Sequence, residues 1–231
     1  MENCMTNVVP VSQPVSLPTS DGNEYPVRRI YLIGRNYEAH AREMGHDPNR
    51  EAPFFFTKWA NTIVVGDGEI AYPPMTKDYH FEAELVVALS AGGTNIAVSA
   101  ALDMVYGYAV GLDMTRRDLQ KIAKESGRPW DYGKNVDESS PIAMLHPVSE
   151  VGHPEKAAMW LDVNGDRKQE TNLDQMIWSV PEMISILSEH YTLAPGDLIF
   201  TGTPAGVGPV VQGDKISVHI DGLTDLNVDV V

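Results

Sequence analysis

His80-Phe81-Glu82-Ala83-Glu84-Leu85-Val86-Val87-Ala88-Leu89 reads as a strand, and its two glutamates set it apart. Branched and aromatic residues in an unbroken run favour extended backbone. Along a strand, alternate side chains share a face, so Glu82 and Glu84 point the same way. Two neighbouring carboxylates repel, and Leu85, Val86 and Val87 beside them make an ionised oxygen costlier still. A cation between them resolves the conflict. Taken alone, a Glu-x-Glu pair describes a solvent-facing strand better than a metal site, so the remainder of the chain must decide.

On either side of this run, short strands dominate. Arg29–Gly34 and Phe54–Lys58 read as strands, followed by 62–65 and 69–72. Val105–Leu112, 198–201, Lys215–Ile220 and the C-terminal stretch do likewise. Residues 160–165 form a strand that ends on Asn164-Gly165, a hairpin turn signal. Helices are few: 38–44, stopped by Gly45 and Pro48; a short one over 99–104; 116–124; and Val180–His190, with Pro181 in its first turn. Regular strand–helix alternation is missing, which argues against a doubly wound parallel sheet. The pattern predicts an α+β fold, a mixed β-strand roll or distorted barrel with few short helices. Residues 1–28, rich in Pro, Ser, Thr and Asn, read as an arm or short leading strands ahead of a domain over 29–231.

Composition narrows the function. The chain has 231 residues, 43% hydrophobic and 21% charged, with a formal net charge of −15. Such acidity argues against a nucleic-acid partner, because phosphate binding needs a basic stripe. No apolar run reaches the length of about 20 residues that a membrane helix needs, and no signal-peptide pattern opens the chain. Cys4 is the single cysteine, which excludes an intrachain disulfide and a thiolate zinc cluster, and a cytoplasmic setting is expected. An anionic substrate would meet an unfavourable overall field, so its site must be built from a few cations or a metal.

The candidate chemistry follows from that constraint. Asp113 comes just after the strand Val105–Leu112 and makes a third carboxylate with Glu82 and Glu84. An all-oxygen donor set favours Mg²⁺, then Mn²⁺ or Ca²⁺. His40 and Glu43, three apart on the 38–44 helix, are neighbours, and a carboxylate beside an imidazole suits a general base; an ordinary surface pair has the same spacing. Arg116, Arg117 and Lys134 supply cations. Either arginine is a candidate for gripping a far carboxylate, and Lys134 beside a metal can stabilise an enolate. Gly202-Thr203-Pro204-Ala205-Gly206-Val207-Gly208 is a turn whose N–H groups, with the Thr203 hydroxyl, can cradle an anion. It lacks the Lys-Ser/Thr of a phosphate loop.

In this order, Gly34-Arg35-Asn36-Tyr37-x-x-His40-x-x-Glu43, Glu82-x-Glu84, Asp113, Gln120, Lys134 and the 202–208 turn resemble the fumarylacetoacetate hydrolase family. The resemblance runs from about Arg29 to the C-terminus. It implies the family's mixed β-strand roll, commonly as a homodimer, with Glu82, Glu84 and Asp113 as metal ligands. It implies His40 and Glu43 as the catalytic pair, and Lys134, Gln120, Arg117 and Thr203 as substrate and enolate contacts. The runs Phe54–Lys58 and 116–120, with Gly127-Arg128-Pro129-Trp130, are similar to members that hydrolyse fumarylpyruvate. Trp59 departs from the proline usual there. The expected activity is metal-dependent cleavage of a 3-acylpyruvate, a small keto acid. Decarboxylation of oxaloacetate, keto–enol isomerisation, or a non-catalytic binding module on the same fold are the alternatives.

Overall fold

A computed structural model describes residues 7–38 and 52–231. The central element is a mixed sheet in the order Phe54–Lys58, Arg29–Gly34, Asp197–Phe200, Ala83–Leu89, Val105–Leu112, Ser140–Ile142, Ile63–Val65, with His146–Pro147 added onto Val105–Leu112. A second sheet runs Asp166–Asn172, Ala158–Val163, Lys215–Ile220, Leu226–Val230, Gly68–Ile70. A small third sheet places Tyr79–Phe81 between Thr115–Arg116 and Gly208–Val210. Antiparallel pairs outnumber parallel ones, and Val180–His190 is the longest helix among the described residues. The chain is thus an α+β mixed β-strand roll.

All seven residues of Ala83–Leu89 are buried, because the strand is covered on both faces. Leu85, Val87 and Leu89 join the larger core, while Val86 and Ala88 join a second one with Leu198 and Phe200. A strand buried on both sides carries a continuous apolar run rather than an alternating one, which is what 83–89 shows around its single charge, Glu84. Opposite Glu84 stands Gly111. A Cβ there would lie 2.6 Å from Cγ2 of Val86 and 3.0 Å from Cε1 of Phe200, so the rings and methyls of the second core occupy the space a side chain would need.

The long strand expected over 80–89 is divided. Tyr79–Phe81 belongs to the small sheet and Ala83–Leu89 to the central one, with Glu82 at the break. The ladder nonetheless continues across it, since Asp113 N–H donates to the Glu82 carbonyl at 2.9 Å. The helix expected over 116–124 spans Arg117–Glu125, because Thr115 and Arg116 are held as a strand against His80 and Tyr79. The Val180–His190 helix starts on a capping box of Ser179 and Glu182, with proline in its first turn as expected. Residues 7–28 contain the antiparallel hairpin Ser16–Pro18 with Glu24–Pro26, whose Leu17 and Tyr25 are buried in the second core.

Overpacking a filled core costs about 1–3 kcal/mol. Gly111→Ala is therefore expected to lower unfolding free energy by that amount in urea denaturation, with the m-value unchanged.

Candidate active site

The break at Glu82 lies where two strands end together. Glu82 and Glu84 project from one chain, and Asp113 is brought opposite Glu82 by the hydrogen bond across the ladder. One carboxylate oxygen from each of Glu82, Glu84 and Asp113 lies within 4.8 Å of the other two, and all three residues are buried. These oxygens are hard donors of the type that hold Mg²⁺, Mn²⁺ or Ca²⁺.

Three cations converge on the same acids. Lys134, the last residue of the short helix Asp131–Lys134, donates from Nζ to Glu82 Oε2 (2.8 Å), Asp113 Oδ2 (2.5 Å) and Thr115 Oγ1 (2.7 Å). Lys58, at the end of the edge strand Phe54–Lys58, donates to Asp113 Oδ1 (3.0 Å) and to the carbonyls of Ser139 (2.6 Å) and Met114 (3.2 Å). Arg117 donates from Nη2 to Glu82 Oε1 and from Nη1 to Gln120 Oε1 at 2.7 Å. Its Nε is buried with no partner among the described residues.

The two lysines respond differently to burial. At Lys58 burial pushes the ammonium below its usual range, with Asp113 opposing the effect. At Lys134 burial works the same way, but Asp113 and Glu82 together outweigh it and the proton is held more firmly than usual. Lys134 touches two carboxylates where Lys58 touches one, which accounts for the contrast. Glu84 is the unbalanced member. Burial, with Asp113 and Glu82 close by, holds its carboxyl well above the usual range. Its one hydrogen bond among the described residues comes from the Gly202 N–H, at 2.7 Å, and no side-chain cation pairs with it. A buried carboxylate without a cation, facing two others, fits a divalent ion.

A cavity of about 650 Å³ opens over this cluster. Glu82, Glu84, Arg117, Gln120 and Lys134 line it, facing an aromatic wall of Phe54, Phe56 and Trp130. Gln120, Arg117 and Lys134, expected as substrate and enolate contacts, are thus among the lining residues. Thr203 does not line the cavity. It is buried, and its hydroxyl oxygen accepts from Gln169 Nε2 at 2.9 Å. From the 202–208 turn, Val207 is the residue that reaches the cavity, while the Gly202 N–H is used on the protein's own Glu84.

Arg116 takes a different place from the one expected. Its strand position turns the guanidinium onto backbone carbonyls, Nε to Tyr132 (2.8 Å) and Nη1 to Pro74 (3.1 Å), outside the cavity lining. His40 and Glu43 lie outside the described residues.

Three residues that bear on the site were not singled out from sequence. Lys58 sits in a quoted run, but nothing in a strand-terminal lysine marks it as buried. Gln169 donates to Thr203 Oγ1 and to the Pro204 carbonyl, and accepts from the Ala83 N–H, so one buried amide ties the glutamate strand to the glycine turn. His80 lines the cavity with Nε2 on Asp78 at 2.8 Å. Gln169 and His80 come together with the site through strand pairing, which no local motif announces.

The profile described as fumarylacetoacetate (FAA) hydrolase C-terminal matches residues 29–231. The chain belongs to the fumarylacetoacetate hydrolase family. Within the family it is similar to fumarylpyruvate hydrolase of Ralstonia sp, 47% identical over 184 residues that cover 80% of this chain and 95% of the relative. It is also similar to a mitochondrial oxaloacetate decarboxylase of Dictyostelium discoideum, 41% identical, covering 88% of this chain and 94% of the relative. Among solved structures it resembles fumarylpyruvate hydrolase from Pseudomonas aeruginosa in complex with Mn²⁺ and pyruvate. That match has 51% identity and a TM-score of 0.95, over 98% of this chain and 99% of the other. The agreement of backbones extends across the sheets that assemble the acidic cluster in this family member.

Removing one partner of a buried ion pair costs about 3–5 kcal/mol. Lys58→Met is expected to lose stability on that scale in thermal or chemical denaturation, and a loss under 1 kcal/mol would contradict the pairing with Asp113.

Proposed function

We propose that the chain is a divalent-metal-dependent hydrolase that cleaves the carbon–carbon bond of a 3-acylpyruvate, with fumarylpyruvate, giving fumarate and pyruvate, as its substrate. The observation that carries this reading is the buried Glu82–Glu84–Asp113 cluster at the base of a cavity lined by Lys134, Arg117 and Gln120. Its support from relatives is the similarity to a fumarylpyruvate hydrolase whose structure holds Mn²⁺ and pyruvate.

Glu82, Glu84 and Asp113 would hold the ion, Mg²⁺ by hardness of the donors or Mn²⁺. When bound, the ion supplies Lewis-acid polarisation of the keto-acid end of the substrate. The chain's own residues do the remainder. His40 and Glu43 together would take a proton from water as it attacks the acyl carbonyl carbon. The bond from that carbon to the pyruvate methylene breaks, its electron pair leaves as the pyruvate enolate, and the oxygen from water stays in fumarate. Lys134, held on Glu82 and Asp113, neutralises the charge that grows on the enolate, which is then protonated to pyruvate. Arg117, held on Glu82 and Gln120, lines the cavity and adds positive charge beside the enolate, and Gln120 fixes its guanidinium.

A second reading is favoured by the 41% identity to an oxaloacetate decarboxylase. Decarboxylation also ends in an enolate and needs the same cluster, but no attacking water. A homodimer in the cytoplasm is the assembly and setting that we associate with the hydrolase.

Two experiments test this reading. In calorimetric titration with Mn²⁺, the wild type is expected to bind and Glu84→Gln to bind at least about tenfold more weakly, since one of three charged ligands is lost. Equal affinity would remove Glu84 from the metal site. In an absorbance assay on fumarylpyruvate, His40→Ala is expected to lose about 10²–10⁴-fold in kcat with Mn²⁺ affinity intact. Turnover of oxaloacetate but not of acylpyruvates by the wild type would instead establish the decarboxylase.

A further inference from the structure

A substrate with a carboxylate at each end needs a second anchor far from the acidic cluster, in a chain whose overall charge is −15. Neither Arg116 nor Arg117 is free to supply it. Arg116 is spent on two backbone carbonyls outside the cavity, and Arg117 is fixed to Glu82 and Gln120 beside the cluster.

Arg35 is placed differently. It lines the same cavity as Glu82 and Glu84, and its guanidinium carbon lies 5.4 Å from the centroid of the Phe54 ring. Among the described residues no carboxylate pairs with that guanidinium. The aromatic wall connects it to the cluster in a continuous series of contacts. Phe54 meets Trp130 edge-on with ring centroids 5.4 Å apart, Trp130 meets Phe56 at 5.5 Å, and Lys134 Nζ lies 5.1 Å from the Phe56 centroid. Lys134 and Arg35 therefore stand at the two ends of one series of aromatic contacts, an apolar wall with a cation at each end along which a conjugated diacid can lie.

The backbone holds Arg35 in place. Its φ is +61°, a left-handed conformation that an arginine adopts only at a cost. Both neighbours enforce it. Gly34 ends a strand directly opposite Phe54, close enough that a Cβ on it would overlap the ring. Asn36 is fully buried, donating from Nδ2 to the carbonyls of Thr201 (2.9 Å) and Trp178 (3.0 Å), and accepting at Oδ1 from the Trp178 N–H (2.7 Å). A strained residue clamped on both sides launches its side chain in a fixed direction, over Phe54 and along the cavity wall.

We infer that Arg35 is a specificity-determining residue that receives the distal carboxylate of the acyl group. This rests on the acylpyruvate reading of the site. With it, the cavity distinguishes diacids such as fumarylpyruvate from acylpyruvates that end in a neutral methyl, such as acetylpyruvate, through one charge-assisted, planar grip.

The test measures kcat/KM of the metal-loaded enzyme on fumarylpyruvate and acetylpyruvate for the wild type, Arg35→Asn and Arg35→Lys. Asparagine removes the cation and tolerates positive φ, so folding, followed by circular dichroism, is expected to hold. The fumarylpyruvate-to-acetylpyruvate ratio should fall about tenfold to a hundredfold in Arg35→Asn, chiefly through KM for the diacid. Arg35→Lys should recover part of the ratio, because it keeps the charge and loses the fork. An unchanged ratio with both substrates still turned over would overturn the role of Arg35 and leave the hydrolase standing. A wild type inactive on both would instead reject the acylpyruvate reading, and this inference with it.

Discussion

Among the described residues, three carboxylates and three side-chain cations share one buried cluster, and the arrangement of the site depends on keeping them balanced. Lys134 and Arg117 take Glu82, Lys134 and Lys58 take Asp113, and Glu84 is left with a backbone N–H. Buried charge is tolerated only when it is paired and hydrogen-bonded. The cations are thus as much a condition for folding the acidic cluster as they are groups for chemistry. The imbalance at Glu84 is what makes room for a divalent ion, and it sits on the strand most deeply enclosed by the two cores.

The fold supplies that balance from separate places. Glu82 and Glu84 come from a strand interrupted between two sheets, Asp113 from the end of its partner strand, Lys134 from a single turn of helix, and Lys58 from the rim of the central sheet. Gln169 reaches in from the second sheet to tie the start of Ala83–Leu89 to the 202–208 turn. Because each sheet contributes, the site is rigid where the sheets are rigid. The glycines at 111 and 202 mark where backbone and neighbouring side chains approach too closely for a Cβ.

Much of this was legible in the sequence, for identifiable reasons. Glu82, Glu84 and Asp113 could be grouped because period-two alternation and the position after a strand are local signals. Arg29–Gly34, Phe54–Lys58, Val105–Leu112 and Val180–His190 were readable because their apolar patterns end on turn formers or caps. The division of 80–89 was not readable, since nothing in the composition of Phe81-Glu82-Ala83 announces a change of sheet. Arg116 looked available because a charged residue beside a helix start usually faces solvent; only tertiary pairing with Tyr79 turns it inward onto Tyr132 and Pro74. Lys58 was hidden for the converse reason. Its burial depends on Ser139 and Met114, both far along the chain.

The edge strand Phe54–Lys58 carries a further consequence. Phe54, Phe56 and Lys58 alternate onto the site face, while Phe55 packs toward the larger core. Sliding this strand by one residue would carry Phe55 and Thr57 into the substrate space and withdraw both the aromatic wall and a structural cation together. The absence of a side chain at Gly34, beneath the Phe54 ring, works as a notch that accepts one alignment and obstructs its neighbours. Fidelity of docking at the rim of a sheet, ordinarily a matter of avoiding aggregation, here doubles as proofreading of the catalytic surface.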